Sequence, residues 1–229
     1  MLDKQHYVCS CSNDFVLKGS FISYSFAANS YQLYTPDTTD LQQAWKNGSL
    51  KDFPYWGKCW PAAIALSEFM VKNTALVRDK QVLELAAGLG LPSLVAAKWA
   101  KNVITSDYLN EPLSFVKLSA TENGISNIET RIINWHHIPP DLFAEVVLLS
   151  DVNYDPASFE ALDQLISFFL EQDTLIILST PQRIMAKPFI EKWMPFQIMK
   201  DEFVLEDDVR VTVFVLKKSE RQGDRKSGR

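Results

Sequence analysis

The chain has 229 residues, 47% of them apolar, and a formal net charge of −5. That is room for one main domain with a sizeable core, and nothing in the acidic balance argues for nucleic acid as a bulk partner, so none is expected. Cys9, Cys11 and Cys59 make no even disulfide framework, and Cys9-x-Cys11 lacks the second pair that zinc needs, so reduced thiols and no metal are expected. No run reaches the ~20 apolar residues that span a bilayer, and the start has no signal-peptide core. A cytoplasmic protein without a membrane partner is expected, and a monomer.

Residues 1–53 read as an N-terminal cap or hairpin extension across the main domain. Phe15-Val16-Leu17 and Phe21-Ile22-Ser23-Tyr24 read as two short strands around Lys18-Gly19-Ser20. Thr35-Pro36-Asp37 and Asn47-Gly48-Ser49 are turn signals. The main domain is expected over 54–217. It opens with Tyr55, Trp56 and Trp60 ahead of Pro61, which suits the first turn of a helix running to about Lys72. Those aromatics are either core-lining side chains or a stacking wall at the helix start.

The stretch Gln81 to Ala100 organises the rest. An apolar run, Val82-Leu83-Glu84-Leu85, stops at Ala86-Ala87-Gly88-Leu89-Gly90, and a helix starts near Leu91-Pro92. Strand, glycine turn and helix in that order let a backbone approach a nucleoside-like ligand. A second strand, Asn102 to Asp107, ends in an acid. Asn110 caps a helix that stops at Gly124. Ile128 to Ile133 is a third strand, before Asn134-Trp135-His136-His137. The histidines read as exposed loop residues. Ala144 to Leu149, nearly all apolar, is a strand buried on both faces. It ends in Ser150-Asp151-Val152-Asn153-Tyr154.

A helix through Phe159 to Phe169, a strand Thr174 to Ser179 and a helix broken or started at Pro188 follow. Phe196 to Leu205 and Val209 to Leu216, joined by Glu206-Asp207-Asp208, must be antiparallel, because so short a link cannot cross over. The charged residues 218–229 read as a flexible tail. Strands alternating with helices predict a three-layer α/β sandwich with a mostly parallel sheet and a C-terminal antiparallel hairpin.

In such folds ligands bind beyond the carboxyl ends of the strands, where Glu84, Asp107, Trp135 and Asp151 stand. Asp107 follows Glu84 at about the ~20-residue spacing of a carboxylate that takes ribose hydroxyls; the lesser alternatives are that it caps a helix and that Trp135 is edge packing. Glu84 inside an apolar run needs buried partners. The dinucleotide fingerprint G-x-G-x-x-G fails, with Ser93 where the third glycine belongs. Asp151 and Tyr154, three apart, share a face if the chain turns there.

From Trp60 to Leu216 the pattern resembles the class I S-adenosylmethionine-dependent methyltransferases. Within them it resembles the small protein-lysine methyltransferases with an Asp-x-x-Tyr signature. The residues that carry this are Trp60-Pro61-Ala62-Ala63, Glu84 to Leu91, Ser106-Asp107, Asn134-Trp135 and Asp151-Val152-Asn153-Tyr154. The resemblance implies a seven-stranded Rossmann-like sheet with the last strand inserted antiparallel. It implies S-adenosyl-L-methionine as cofactor and S-adenosyl-L-homocysteine as product. Glu84 and the Ala86-Ala87-Gly88 backbone, with Gly90 in the same turn, would hold the methionine end. Asp107 would take the ribose, Trp135 would cover the adenine and Trp60 would line the pocket. Ser150 and Asp151 would sit beside the methionine amino group and the transferred methyl, with Asp151 and Tyr154 as the catalytic pair. The family usually has glycine where Ala86 stands, so Ala86 is expected at negative φ, or the loop slightly displaced. The acceptor would be lysine in a protein, with a small nicotinamide-like amine as the alternative. A NAD-binding oxidoreductase and a non-catalytic cofactor scaffold are the readings of another class.

Overall fold

The structure is a computed structural model that describes residues 9–10, 16–140 and 142–219. Cys11, Phe15 and the tail from 220 onward, on which expectations were placed, lie outside the described residues.

Two short strands, β1 (Cys9–Ser10) and β2 (Val16–Leu17), pair antiparallel. The hairpin that follows is not the expected one. β3 (Gly19–Phe26) pairs with β4 (Asn29–Pro36), Gly19 opposite Pro36 and Phe26 opposite Asn29. The reversal is at Ala27, which takes φ 51°, so no glycine or proline marked it. Thr35 and Pro36, expected in a turn, end β4 instead. Asp37 then accepts the Thr39 and Asp40 N–H groups and caps an unforeseen helix, α1 (Thr38–Lys46).

α2 (Pro61–Lys72) starts on Pro61 as expected. The alternation runs β5 (Gln81–Leu85), α3 (Leu91–Ala97), β6 (Asn102–Asp107), α4 (Asn110–Glu122), β7 (Ile128–Ile132), β8 (Val146–Ser150), α5 (Phe159–Glu171), β9 (Leu175–Pro181), α6 (Lys187–Trp193), β10 (Gln197–Val204) and β11 (Arg210–Leu216). The seven strands order as β10-β11-β9-β8-β5-β6-β7. β5 to β9 pair parallel, whereas β11 is antiparallel to both neighbours, β9 and β10. The fold expectation is met.

Period-two alternation sorts the strands between two cores. Val82, Val103, Val146 and Leu148 pack with Leu66 of α2, Leu94 of α3 and Phe115 of α4. Leu83, Val147, Leu149 and Ile176 pack with Leu165 and Phe169 of α5 and Phe189 of α6. The N-terminal hairpin shares the first core. Tyr34, fully buried, stacks on Phe115 at 5.4 Å, and its N–H donates to the Ser119 hydroxyl at 2.8 Å. β6 and β7 are added on one side of β5, and β8 and β9 on the other, and that switch point opens a crevice at the carboxyl ends of the parallel strands β5 and β8.

Candidate active site

A cavity of about 540 Å³ fills the crevice, a volume that suits a nucleoside-sized ligand. Of the residues singled out in the sequence, Trp60, Ala86, Ala87, Gly88, Gly90, Asp107, Trp135, Ser150, Asp151 and Tyr154 all line it. Glu84 does not. Its place in β5 turns it onto the α3 face, where its Oε2 accepts the Ser93 N–H at 2.9 Å and the Ser93 hydroxyl. Its Oε1 is buried without a partner among the described residues. Burial pushes the carboxyl up to about 8, against the pull of Ser93.

Ala86 is a correction. It stands at φ 52°, the left-handed region, in line with Gly88 at 53° and Gly90 at 71°. Sheet and loop over-determine it: the Ala87 N–H donates to the Ser106 carbonyl at 2.9 Å and the Gly90 N–H to the Ala87 carbonyl at 2.9 Å. Gly90 is enforced by space as well, since a Cβ there would come 2.8 Å from Cγ2 of Val116.

Three N–H groups of the loop are already taken. The Ala87, Gly88 and Gly90 N–H groups are committed to Ser106, Asp107 and Ala87. At the start of α3, Pro92 has no N–H and Ser93 gives its own to Glu84. A pyrophosphate would find these donors spent and a carboxyl group already at the helix terminus. Close backbone approach with most of these donors spent does not suit a pyrophosphate.

Asp107 is buried and partnered: Oδ2 accepts from Gly88 at 3.1 Å and Oδ1 from Leu109 at 3.2 Å. Burial raises its pKa, opposed by these backbone bonds. It therefore both braces the entry to α4 and faces the cavity. Trp135 is half-buried, packed on the second core and in contact with His136, which also borders the cavity.

The aromatic group before α2 forms a mouth. Trp60 donates its indole N–H to the Tyr55 carbonyl at 2.8 Å, and Lys58 lies 5.0 Å over its ring. Trp56 is buried against Phe115, whereas Tyr55 is half-exposed and stands 5.9 Å from Tyr154. Both expected roles, core lining and wall, are thus present in one segment. Burial raises the pKa of Tyr154, and that of Tyr108 to about 12.

Asp151 holds the far wall at φ 54°, its N–H bonded to the Ser179 carbonyl at 2.9 Å. Its carboxylate is forked by Arg183, Nη1 on Oδ1 and Nη2 on Oδ2 at 3.0 Å. Sequence reasoning missed Arg183, because nothing local links positions 151 and 183. Asn153, between the pair, is fully buried with both amide atoms unpartnered among the described residues.

A family model described as lysine methyltransferase matches residues 40–194. The chain belongs to the lysine methyltransferase family. The family match begins inside α1 and so takes in part of the segment expected to be a cap. The histone-arginine methyltransferase METTL23 of Xenopus laevis is 29% identical over 153 residues, 64% of this chain and 59% of that protein. The electron transfer flavoprotein beta subunit lysine methyltransferase of Mus musculus is 27% identical over 145 residues, 61% of this chain and 56% of that one. The chain thus spans less than two thirds of the length of these two relatives. A solved methyltransferase complexed with SAH shares the fold at TM-score 0.58 and 15% identity, over 86% of this chain and 56% of that one. Among the described residues no helix is long and apolar enough to cross a membrane.

Proposed function

We propose that this lysine methyltransferase family member transfers a methyl group from S-adenosyl-L-methionine to the side-chain amine of lysine in a protein, releasing S-adenosyl-L-homocysteine. The observation that carries the reading is the single cavity in which a donor-poor backbone loop, Asp107, Trp135 and the Asp151–Tyr154 pair meet. The spent N–H groups of the loop argue against a dinucleotide, whose pyrophosphate needs them. The relatives named for protein-lysine and protein-arginine methylation support a protein acceptor, and the neighbour complexed with SAH supports the cofactor.

Asp107 would take the ribose hydroxyls, and Trp135 would cover the adenine. The backbone at Ala86, Ala87 and Gly88 would lie along the methionine end, with Ser150 and Trp60 beside it. Glu84 serves from beneath, by pinning α3 through Ser93. Bound there, the cofactor supplies an electrophilic methyl on a cationic sulfur. Tyr55, Trp60 and Tyr154 exclude water from the acceptor, which lowers the pKa of an amine that starts near ~10.4. Asp151 orients the amine, and Tyr154 offers its ring to the cationic centre. Most of the catalysis is alignment. The same reading keeps the protein a cytoplasmic monomer.

Labelled-methyl transfer to lysate of the native cell, read on gels and by small-molecule chromatography, tests this and separates protein from small-amine acceptors. Asp151→Ala should lower transfer about 100-fold while titrated S-adenosylhomocysteine binding falls only a few-fold. Unchanged turnover would sink the assignment.

A further inference from the structure

We propose that Arg183 is a positioning residue that grips both oxygens of Asp151 and offsets its charge, so that the site accepts an amine and rejects a guanidinium. The inference rests on the methyltransferase reading above and adds to it the residue that tunes the site for an amine.

Asp151 faces the cavity where the acceptor must sit, and a lone carboxylate there works against an amine. The amine must shed its proton before its lone pair can form the N–C bond while the C–S pair stays on sulfur. An unpaired anion holds that proton on, and also favours the sulfonium before transfer over the neutral sulfur after it. Arg183 removes the conflict. Both carboxylate oxygens meet its two terminal nitrogens, the bidentate geometry that fixes a carboxylate's plane as well as its charge. The pair is sheltered, with side chains 9% and 29% exposed for Asp151 and Arg183. Backbone holds one end of it, since the Asp151 N–H is tied to Ser179 at the end of β9, the strand that leads to Arg183.

The other charged groups around the acceptor are engaged with backbone or ring partners. Asp155 accepts the Ala157 N–H and Asp107 the Gly88 and Leu109 N–H groups, while Lys58 lies over Trp60. Tyr55, Tyr108, Tyr154 and His136 complete the wall. A guanidinium keeps its proton at any working pH and is gripped by a carboxylate fork. Here that fork is already taken by the protein's own arginine.

The test compares wild type, Arg183→Gln and Arg183→Lys. Isothermal titration at pH 7 uses S-adenosylhomocysteine, neutral at sulfur, and sinefungin, which carries an amine at the transferred methyl. Freed of its partner, Asp151 should raise the preference for sinefungin over S-adenosylhomocysteine about tenfold in Arg183→Gln. Arg183→Lys, which keeps the charge and loses the fork, should fall between. In labelled-methyl assays on lysate, the basic rise of the pH–rate profile should move up by about one pH unit in Arg183→Gln. Acid hydrolysis of the wild-type product should yield methyllysine. An unchanged ligand preference, with wild type binding both ligands, overturns this inference alone; methylarginine as the wild-type product overturns it together with the lysine acceptor. A wild type that binds neither ligand and transfers no methyl overturns the methyltransferase reading, and this inference with it.

Discussion

Ala86 and Asp151 leave the carboxyl ends of the neighbouring parallel strands β5 and β8 in the same left-handed backbone conformation, at φ 52° and 54°. Each is the first residue past its strand at the switch point, and each lines the cavity. The conformation turns both chains sharply away from the sheet, so the crevice between them stays open. Aspartate tolerates that region better than most residues, and alanine does not.

Ala86 therefore carries strain that glycine would relieve. The left-handed region costs an alanine about 1–2 kcal/mol, and the extra unfolded-state freedom of glycine takes back about 0.4–1 kcal/mol. Ala86→Gly should raise Tm by about 2–4 °C, measured by thermal unfolding without ligand. Ala86→Val, β-branched at positive φ, should lower it. A lower Tm for the glycine variant would show that the turn is not strained at this residue.

The buried Glu84 predicts how stability depends on pH. Its folded value is about 8, against about 4.3 for an unfolded glutamate. Between those two values the folded chain binds more protons than the unfolded one, so stability falls as pH rises. The contribution is complete below the unfolded value and gone above about 8. Glu84→Gln keeps an acceptor for Ser93 and removes the titration. Wild-type Tm should drop several degrees more than that of Glu84→Gln between pH 5 and pH 8, read in matched buffers at constant ionic strength. Parallel curves for the two proteins would mean that Glu84 ionises freely.

Trp135 separates cofactor stacking from packing. Trp135→Ala should weaken S-adenosylhomocysteine binding about tenfold, from the loss of one base-stacking surface, and Trp135→Phe should keep most of it. Thermal unfolding of both variants monitors the ring's share in the second core. Full affinity in the alanine variant would move the adenine elsewhere.

Much of the site was legible because its residues sit at chain positions that a strand-then-turn rhythm picks out. Asp107, Trp135 and Asp151 each stand at or just past the end of a strand, and the parallel sheet brings all three ends to one edge. The N-terminal segment was misread for the opposite reason. Its reversal at Ala27 carries neither glycine nor proline, and Pro36 closes a strand although it looks like a turn signal. Local chemistry is ambiguous there, and what decides is burial of Tyr34 against Phe115 of α4.

From the order of residues alone came the alternation of strands and helices, the inserted last strand's short hairpin link, and the acids and aromatics that end the strands. These follow from periodicity and turn chemistry, which act between near neighbours in the chain. Three features came only with the tertiary structure: Glu84 turned under the loop onto Ser93, Ala86 forced to positive φ, and Arg183 clasping Asp151. Each depends on which groups the sheet's pairing and the loops place within hydrogen-bonding reach. That distance in space has no counterpart in spacing along the chain.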